Sequence, residues 1–304
     1  MSKIFKIKPY FSKKIWGGNK LENFGFELPN DSIGEAWLIS AHKNGMSFLE
    51  SNGSRISLKD FYDKYKSLFN LSEREFPLLT KIITSNDFLS VQVHPNDEYA
   101  LKKHNFLGKP EAWYVLDCPP NSSLIYGHTA KTLEDFKNKV INNQWDSLLV
   151  NVPINKGDFL YVEPGKVHAI SPGLTVFELQ RSSDITYRLY DYDRIDNNGK
   201  KRDLHLIESF ETVLIPDSKP VIIKNKTKLI FESSFFSLYL LDTSVENKFK
   251  IKESIKWFQI TVIEGQGLFN DVFFKKGESA LVLENGGKYF LEGEFKMLIS
   301  WVES

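Results

Sequence analysis

The chain has 304 residues, with 39 basic and 39 acidic side chains and a single cysteine. This length is ample for a large core, and the even charge balance argues against a nucleic-acid or anionic-membrane partner. One cysteine excludes an internal disulfide, and the first residues lack the apolar run of a signal peptide, so we expect a cytoplasmic protein.

The first half of the chain is predicted to combine short strands with helices. Short strands and turns are expected up to about residue 50. Ser57 and Thr132 each begin a capping-box pattern, with an aspartate three residues later, and apolar residues then recur at helical intervals. Two helices are therefore predicted at about 57–69 and 132–149, and a third, short helix is expected near 97–104.

The remaining segments are predicted to be mostly strands. The predicted strands lie at 77–83, 112–116, 157–162, 175–179, 184–192 and about 205–215. A polar, lysine-rich link near 216–228 precedes a tail of strands whose turns fall at 264–267, 276–277 and 284–287. So many short strands predict a mainly β protein, and two β-barrels in tandem are a plausible arrangement.

The segment 89–97, Leu-Ser-Val-Gln-Val-His-Pro-Asn-Asp, is the first candidate site. In an extended strand Val91 and Val93 face one way, while Gln92 and His94 share the other face. An amide beside an imidazole in a half-buried strand is typical of a metal centre or a polar sugar pocket. The alternative is a strand whose polar face simply meets solvent.

The segment 157–168 is the second candidate. It resembles the second cupin motif, because Gly157, Gly165 and His168 hold the motif's glycine, glycine and histidine positions. Glu163 stands where the motif has proline, and Pro164 follows one residue later.

His94 with Gln92 would then supply the first ligand strand of a cupin, and Glu111 the carboxylate. Nitrogen and oxygen ligands of this kind suit a borderline divalent ion such as Zn²⁺. The spacing alone leaves open the alternative that His94 and His168 are separate structural histidines.

Arginine usage is uneven along the chain. Only six of the 39 basic residues are arginines, and Arg181, Arg188 and Arg194 fall within fourteen positions. A lysine-rich chain that uses arginine mainly in one segment indicates that these arginines make planar, bidentate contacts there. The alternative is that the arginines cluster by chance.

Five segments together resemble the type I mannose-6-phosphate isomerase family in its short bacterial form, and they occur in family order. The segments are Trp16-Gly-Gly18, the stretch 89–97, Gly108-Lys-Pro-Glu111, Gly165-Lys-Val-His-Ala169 and Ser183-Asp-Ile-Thr-Tyr-Arg188. The resemblance implies a bicupin, that is, two β-barrel or jelly-roll domains, with a helical insertion. We expect a metal-binding cupin domain over 1–225, including the helices at 57–69 and 132–149.

A second domain is expected over 226–304 as a degenerate cupin without a metal. Its segment 277–288 resembles a second cupin motif, in which Leu283, Asn285 and Lys288 occupy the proline, glycine and histidine positions. A barrel of this kind still buries apolar strands, so its expected role is structural.

The resemblance also implies residue roles, with one zinc ion per chain. His94, Glu111 and His168 match zinc ligands, and Gln92 stands at a position that ligates in longer relatives. Arg188 matches the active-site arginine, and Lys109 and Asp184 match positions near the substrate. Pro110 stands where the short form often has threonine. The other histidines, His42, His104, His128 and His205, match no ligand position and are interpreted as structural or surface residues.

The implied reaction interconverts mannose 6-phosphate and fructose 6-phosphate through a cis-enediol. Arg188 would stabilise the developing oxyanion or bind the phosphate, and Lys109, Asp184 or a bound water would transfer the proton. The alternatives are a cupin enzyme with another metal or sugar substrate and a cupin that binds sugar or metal without turnover.

Overall fold

The computed structural model describes residues 3–51, 53–195, 199–283 and 287–302, and it is mainly β, as expected. The strands are β1 (Lys3–Lys8), β2 (Tyr10–Gly18), β3 (Ile33–Ile39), β4 (Phe48–Ser51), β5 (Ser54–Ser57), β6 (Leu78–Thr84), β7 (Val91–Val93), β8 (Glu111–Asp117), β9 (Ser123–His128), β10 (Leu149–Pro153), β11 (Phe159–Val162), β12 (His168–Ala169), β13 (Thr175–Arg181), β14 (Tyr187–Tyr190), β15 (Ile222–Ile223), β16 (Lys228–Glu232), β17 (Ser237–Asp242), β18 (Lys248–Lys250), β19 (Trp257–Phe269), β20 (Val272–Lys275), β21 (Ser279–Leu283) and β22 (Lys288–Trp301). The helices are α1 (Leu58–Tyr65), α2 (Asp97–His104), α3 (Leu133–Ile141), α4 (Trp145–Leu148) and α5 (Leu206–Thr212), with short 3-10 helices at Lys20–Phe24 and Lys66–Leu68. None of the helices in the described part of the chain has the length and apolarity needed to cross a bilayer.

The three predicted helices are confirmed, with small changes at their ends. The Ser57 hydroxyl accepts a hydrogen bond from the Asp60 amide at 3.0 Å, and Thr132 caps α3 in the same way through the Asp135 amide at 3.1 Å. The predicted helix at 132–149 is divided into α3 and α4, because Asn143 adopts a left-handed backbone with φ of 53°.

The strand predicted at about 205–215 is wrong, because this segment contains α5. Leu206, Phe210 and Val213 pack against one apolar cluster, and their spacing of four and three residues is helical. Burial of that helical face outweighs the β-favouring residues of the segment. The neighbouring predicted strand at 184–192 is shorter than expected and covers Tyr187–Tyr190.

Contacts divide the chain into two compact units. The first consists of Met1–Ser12, Asn19–Ile82 and Asn225–Ser304. Its main sheet has the strand order β16-β17-β22-β19-β21-β1-β4-β5, with β18 paired to β22 and β20 to β19. Because β1 pairs with β21, both ends of the chain build this unit. The domain boundary that the sequence predicts between residues 225 and 226 stays a prediction. Asn285 and most of the predicted turn at 284–287 lie outside the described residues.

The second unit, Lys13–Gly18 and Ile83–Lys224, contains all the predicted site residues. Strands β10-β9-β12-β7-β14 form one sheet in that order, and β15-β11-β8-β13 are neighbours in another. One apolar cluster combines Leu124 and Tyr126 from the first sheet with Trp113, Leu160 and Val176 from the second. The two sheets of this unit therefore face each other across a shared core.

Helices cover the other face of the five-stranded sheet. Val91 of β7 and Leu189 of β14 pack in a cluster with Phe136 and Val140 of α3. Since side chains alternate along a strand, Gln92 and Arg188 must face the opposite way, towards the core between the two sheets. The helices therefore determine which face of the sheet carries the polar residues.

Candidate metal centre

Four polar or aromatic side chains form a row across the five-stranded sheet. Tyr126 of β9 pairs with His168 of β12, His168 pairs with Gln92 of β7, and Gln92 pairs with Arg188 of β14. Residues directly opposite one another on neighbouring strands point to the same face. The alternation predicted for the segment 89–97 is thus confirmed, and it aligns Gln92 with the histidine of the second motif.

Glu111 approaches this row from the facing sheet, where it is the first residue of β8. Its two carboxylate oxygens lie 3.4 Å from His94 Nε2 and 3.3 Å from His168 Nε2. His94, Glu111 and His168 are all buried, and their ligand atoms lie within 4.8 Å of one another. The structure therefore brings together the three residues that the sequence motifs had indicated separately.

A left-handed turn holds the loop before His168. Gly165 has φ of 89°, and a Cβ atom there would lie 2.8 Å from the Thr212 carbonyl oxygen. The Gly165 amide donates to the carbonyl of His94 at 2.8 Å, and the Lys166 amide donates to that of Glu163 at 3.1 Å. The turn is therefore retained although glutamate replaces the proline of the motif, and it links the His168 loop directly to His94.

Both imidazole rings are fixed by backbone carbonyls. His94 Nδ1 lies 3.0 Å from the Ile185 carbonyl oxygen, and His168 Nδ1 lies 2.8 Å from that of Lys166. A carbonyl only accepts hydrogen bonds, so each Nδ1 carries the proton and each Nε2 keeps its lone pair. The two lone pairs therefore face Glu111, an orientation that metal-binding histidines commonly show.

Burial and neighbouring charges keep this group in the protonation state that binds metal. Burial, assisted by the Lys109 ammonium, lowers the pKa of His94 to about 4, and burial also lowers the pKa of His168. Burial alone would raise the pKa of Glu111, but Lys109 and then His94 hold it well below its usual range. At neutral pH the group therefore consists of two neutral imidazoles and one carboxylate.

This donor set fits a divalent ion. Both carboxylate oxygens of Glu111 are buried, and neither accepts a hydrogen bond of good geometry from any described residue. The Lys109 ammonium, 2.8 Å from Oε2, offsets the carboxylate charge, and the two Nε2 lone pairs that face the same carboxylate add the neutral donors that a divalent ion requires. Two imidazole nitrogens and a carboxylate are the ligand types found in three-residue catalytic zinc sites.

Gln92 and Lys109 lie beside the group formed by His94, Glu111 and His168. Gln92 Nε2 is 3.3 Å from His168 Nε2. Lys109 Nζ is 2.8 Å from Glu111 Oε2 and 3.2 Å from His94 Nε2, and the lysine is buried. A positively charged ammonium therefore touches the group directly.

Arg188 and Asp184 occupy different environments. Arg188 is half-buried, its Nη1 donates to the Asp203 carbonyl at 2.6 Å, and its buried Nε has no acceptor among the described residues. Asp184 is exposed and is not part of the three-residue group. The segment around Asp184 supports the site through its backbone instead, because the next residue, Ile185, anchors His94.

The other four histidines lie outside the group, as expected. The Nδ1 atom of His42 accepts from the Asn44 amide, and His104 bonds to the Tyr187 hydroxyl. His128 bonds to the Leu214 carbonyl, and the Nδ1 atom of His205 accepts from the backbone amide of Arg188. His205 thus supports the strand that carries the arginine.

Two further contributors were not predicted. The Trp113 ring packs on His168 with a centroid distance of 5.3 Å, and its indole nitrogen donates to Glu178 Oε2 at 3.0 Å. Glu178 lies on β13 directly opposite Trp113. The signal in the sequence was a charged residue within the otherwise apolar strand at 175–179.

The comparisons with known proteins agree with this geometry. A model described as "Phosphomannose isomerase type I, catalytic domain" matches residues 4–115. The chain is 39% identical over 308 residues to "Mannose-6-phosphate isomerase ManA" of Bacillus subtilis, covering 97% of both chains. It is 35% identical over 313 residues to "Mannose-6-phosphate isomerase" of Streptococcus mutans, covering 99% of this chain and 98% of the relative. A crystal structure of the mannose 6-phosphate isomerase from Bacillus subtilis superposes with a TM-score of 0.90 at 31% identity, covering 98% and 99% of the two chains.

Proposed function

Because the chain belongs to the type I phosphomannose isomerase family, we propose that it is a zinc-dependent isomerase of mannose 6-phosphate and fructose 6-phosphate, acting in the cytoplasm. The observation that carries the proposal is the buried Glu111 carboxylate facing the Nε2 atoms of His94 and His168. The near full-length similarity to proteins named for this reaction supports mannose 6-phosphate as the substrate.

One zinc ion per chain would be held by His94, Glu111 and His168, with Gln92 as a further candidate ligand. When bound, the ion supplies a Lewis acid that polarises substrate oxygens. The hydrogen bonds from the two Nδ1 atoms to backbone carbonyls keep the ligands oriented, so little reorganisation is needed for binding.

Lys109 is the residue of this chain that we assign to proton transfer. The reaction moves a proton between C1 and C2 of the sugar through a cis-enediol, and a group that holds or moves this proton must reach the reacting carbons. Lys109 Nζ lies within 3.2 Å of His94 Nε2, whereas the exposed Asp184 is outside the ligand group. We therefore assign Asp184 to the outer edge of the substrate site.

Arg188 is assigned to stabilising the negative charge that develops on the enediol oxygens. It follows Gln92 in the row across the sheet, and its buried Nε is free to donate, since no described residue accepts from it. A fixed guanidinium in a site shielded from water stabilises a developing oxyanion more than a mobile one in water.

The two compact units correspond, in this proposal, to the two barrels of a bicupin, of which the one containing 226–304 binds no metal. The described residues contain a single group of three potential metal ligands, and it lies in the other unit. The expected metal content is therefore one zinc ion per chain.

The test is direct measurement of isomerisation together with metal analysis. Purified protein should form fructose 6-phosphate from mannose 6-phosphate and should exchange the C2 hydrogen with solvent or transfer it to C1. Chelation should abolish turnover, and added zinc should restore it. Tight binding of the sugar phosphate without either event would contradict the isomerase and support a binding protein.

A further inference from the structure

Two arginines bind one aspartate at the end of β14, and a third arginine lies nearby. We call Arg188, Arg194 and Arg202, with Asp191, the arginine cluster. Asp191 is buried, and burial alone would raise its pKa, but hydrogen bonds from Arg202 and Arg194 lower it. The sequence contains six arginines, and four of them lie within 181–202.

Every guanidinium nitrogen of Arg194 has an acceptor within the protein. Its Nε donates to the Asp191 carbonyl at 3.2 Å, and its Nη2 donates to Asp191 Oδ1 at 2.5 Å. Its Nη1 donates to the Phe88 carbonyl and lies 3.4 Å from Asp87 Oδ2. All three nitrogens therefore have acceptors within the protein, which indicates a structural role.

Arg202 differs from Arg194 at one end of its guanidinium. Its Nε donates to Asp191 Oδ2 at 2.8 Å, and its Nη2 donates to Asp191 Oδ1. Its Nη1 has no acceptor within the part of the chain that the structure describes, and the side chain is 26% exposed, against 15% for Arg194. Asp191 therefore fixes one edge of Arg202 and leaves Nη1 available to a ligand.

Arg188 also leaves hydrogen-bonding capacity unused. Asp191 is shared by Arg194 and Arg202, while Arg188 donates only to an uncharged carbonyl and has an orphaned, buried Nε. Burial and the like charges of Arg202 and Arg194 lower the pKa of Arg188, although Asp191 and Asp203 act in the opposite direction. A guanidinium nitrogen without an acceptor is a ready donor, so a bound anion with several acceptor oxygens would stabilise this arrangement.

The cluster lies at a suitable place for the far end of the substrate. Neighbouring strands are about 4.8 Å apart, so Arg188 lies about 10 Å from His168 across the sheet, with Gln92 between them. The register shifts between Arg188 and Tyr190, and both Leu189 and Tyr190 pack on the helix side, so Asp191 returns to the side of Arg188. Lys109 Nζ lies against Glu111 and His94, so this cation belongs to the end of the site where the sugar reacts and not to the end that would hold the phosphate.

We propose that Arg202 binds the phosphate group of the sugar phosphate through Nη1 and that Asp191 positions Arg202 for this contact. The proposal rests on the proposed function for its ligand, since C1 and C2 at the metal centre leave the C6 phosphate at the opposite end. It makes Arg202 the residue that selects phosphorylated over unphosphorylated sugars, while Arg188 acts between the phosphate and the reacting carbons.

The experiment compares Arg202→Gln and Arg202→Lys with Arg194→Gln in the zinc-loaded full chain. Calorimetry measures mannose 6-phosphate binding, and inorganic phosphate serves as a competitor in the isomerase assay. Loss of one charge-assisted hydrogen bond should weaken sugar-phosphate and phosphate affinity by roughly ten- to a hundredfold. We expect R202Q to show this loss with kcat nearly unchanged, R202K to recover part of it, and R194Q to show a smaller effect on affinity than R202Q.

Two results would overturn the inference. One is an R202Q protein whose affinities for mannose 6-phosphate and inorganic phosphate stay within twofold of wild type. The other is a reversed order, with R194Q losing more affinity than R202Q at equal thermal stability. Failure of the proposed function would look different, because wild-type protein would then bind the sugar phosphate without turnover. The calorimetric comparison of R202Q with wild type still decides the inference in that case.

Discussion

The candidate metal-ligand group, formed by His94, Glu111 and His168, and the arginine cluster belong to the same compact unit, but their charges are balanced in different ways. In the first, two neutral imidazoles and Lys109 surround one buried carboxylate whose oxygens lack well-formed hydrogen bonds. In the second, the Asp191 carboxylate accepts hydrogen bonds from Arg194 and Arg202, while Arg188 nearby keeps a buried Nε without an acceptor among the described residues. In our proposals the nitrogen and oxygen ligands of the first would bind a cation, and the unused guanidinium nitrogens of the second would bind an anion. A sugar phosphate that spans both would meet a Lewis acid at its reacting end and guanidiniums at its phosphate.

Breaking the metal-ligand group should have the largest effect. His168→Ala removes one of three protein ligands, and its metal affinity should fall by more than about a hundredfold, since loss of a mere supporting partner already costs ten- to a hundredfold. Activity should disappear at ordinary zinc concentrations. Competition with a chromophoric chelator measures the affinity.

The matched control is His128→Ala, which removes a buried histidine that bonds to the Leu214 carbonyl and lies outside the ligand group. It should keep stoichiometric zinc even if it is less stable. A His168→Ala protein with one tightly bound zinc ion and full activity would show that His168 is not a ligand.

Arg188 sharpens the comparison because it is the member of the arginine cluster that pairs across the sheet with Gln92, which lies beside His168. If its guanidinium stabilises charge that develops only in the transition state, Arg188→Ala should lower kcat and kcat/KM together, by about a thousandfold or more, with little change in KM. A contact made equally in ground and transition states would raise KM alone. Steady-state kinetics distinguishes the two.

Arg202→Gln provides the contrast to Arg188→Ala, because it is expected to raise KM and to leave kcat nearly unchanged. If Arg188→Ala behaved in the same way, with kcat preserved, Arg188 would belong to the phosphate site and the oxyanion would need another partner.

The two regions also differ in how far the sequence revealed them. The alternation of Val91, Gln92 and Val93 predicted the correct face of β7, and the spacing of Gly165 and His168 indicated the histidine that the structure places beside Glu111, because both are local patterns. Capping signals at Ser57 and Thr132 predicted two helices for the same reason.

The arginine cluster was only partly predictable, since Arg202 reaches Asp191 by a return of the chain that no local pattern specifies. The helix α5 was mistaken for a strand because its apolar residues satisfy both a strand composition and a helical spacing. The exposure of Asp184 likewise depends on the fold around it. Tertiary contacts decide these features, and local sequence patterns therefore do not predict them.

A pH titration should separate the two regions, with the smallest of the expected effects. The pKa of His94 falls from 6.5 to about 4 on folding because the ring is buried. Between these values the unfolded chain binds a proton that the folded chain does not, so the free energy of unfolding should decrease as the pH falls from about 6.5 to about 4. One such group contributes about 1.4 kcal/mol per pH unit at most, or about 3 kcal/mol across this window. His168 is shifted in the same direction and adds to the effect, whereas the guanidiniums of the arginine cluster keep their charge throughout.

Denaturant unfolding of chelator-treated protein should therefore show a shallower dependence on pH for His94→Gln than for wild type. Arg202→Gln should retain the wild-type slope. Equal slopes for His94→Gln and wild type would mean that His94 is not held neutral by burial, and the ligand group would then lack the protonation state that metal binding requires.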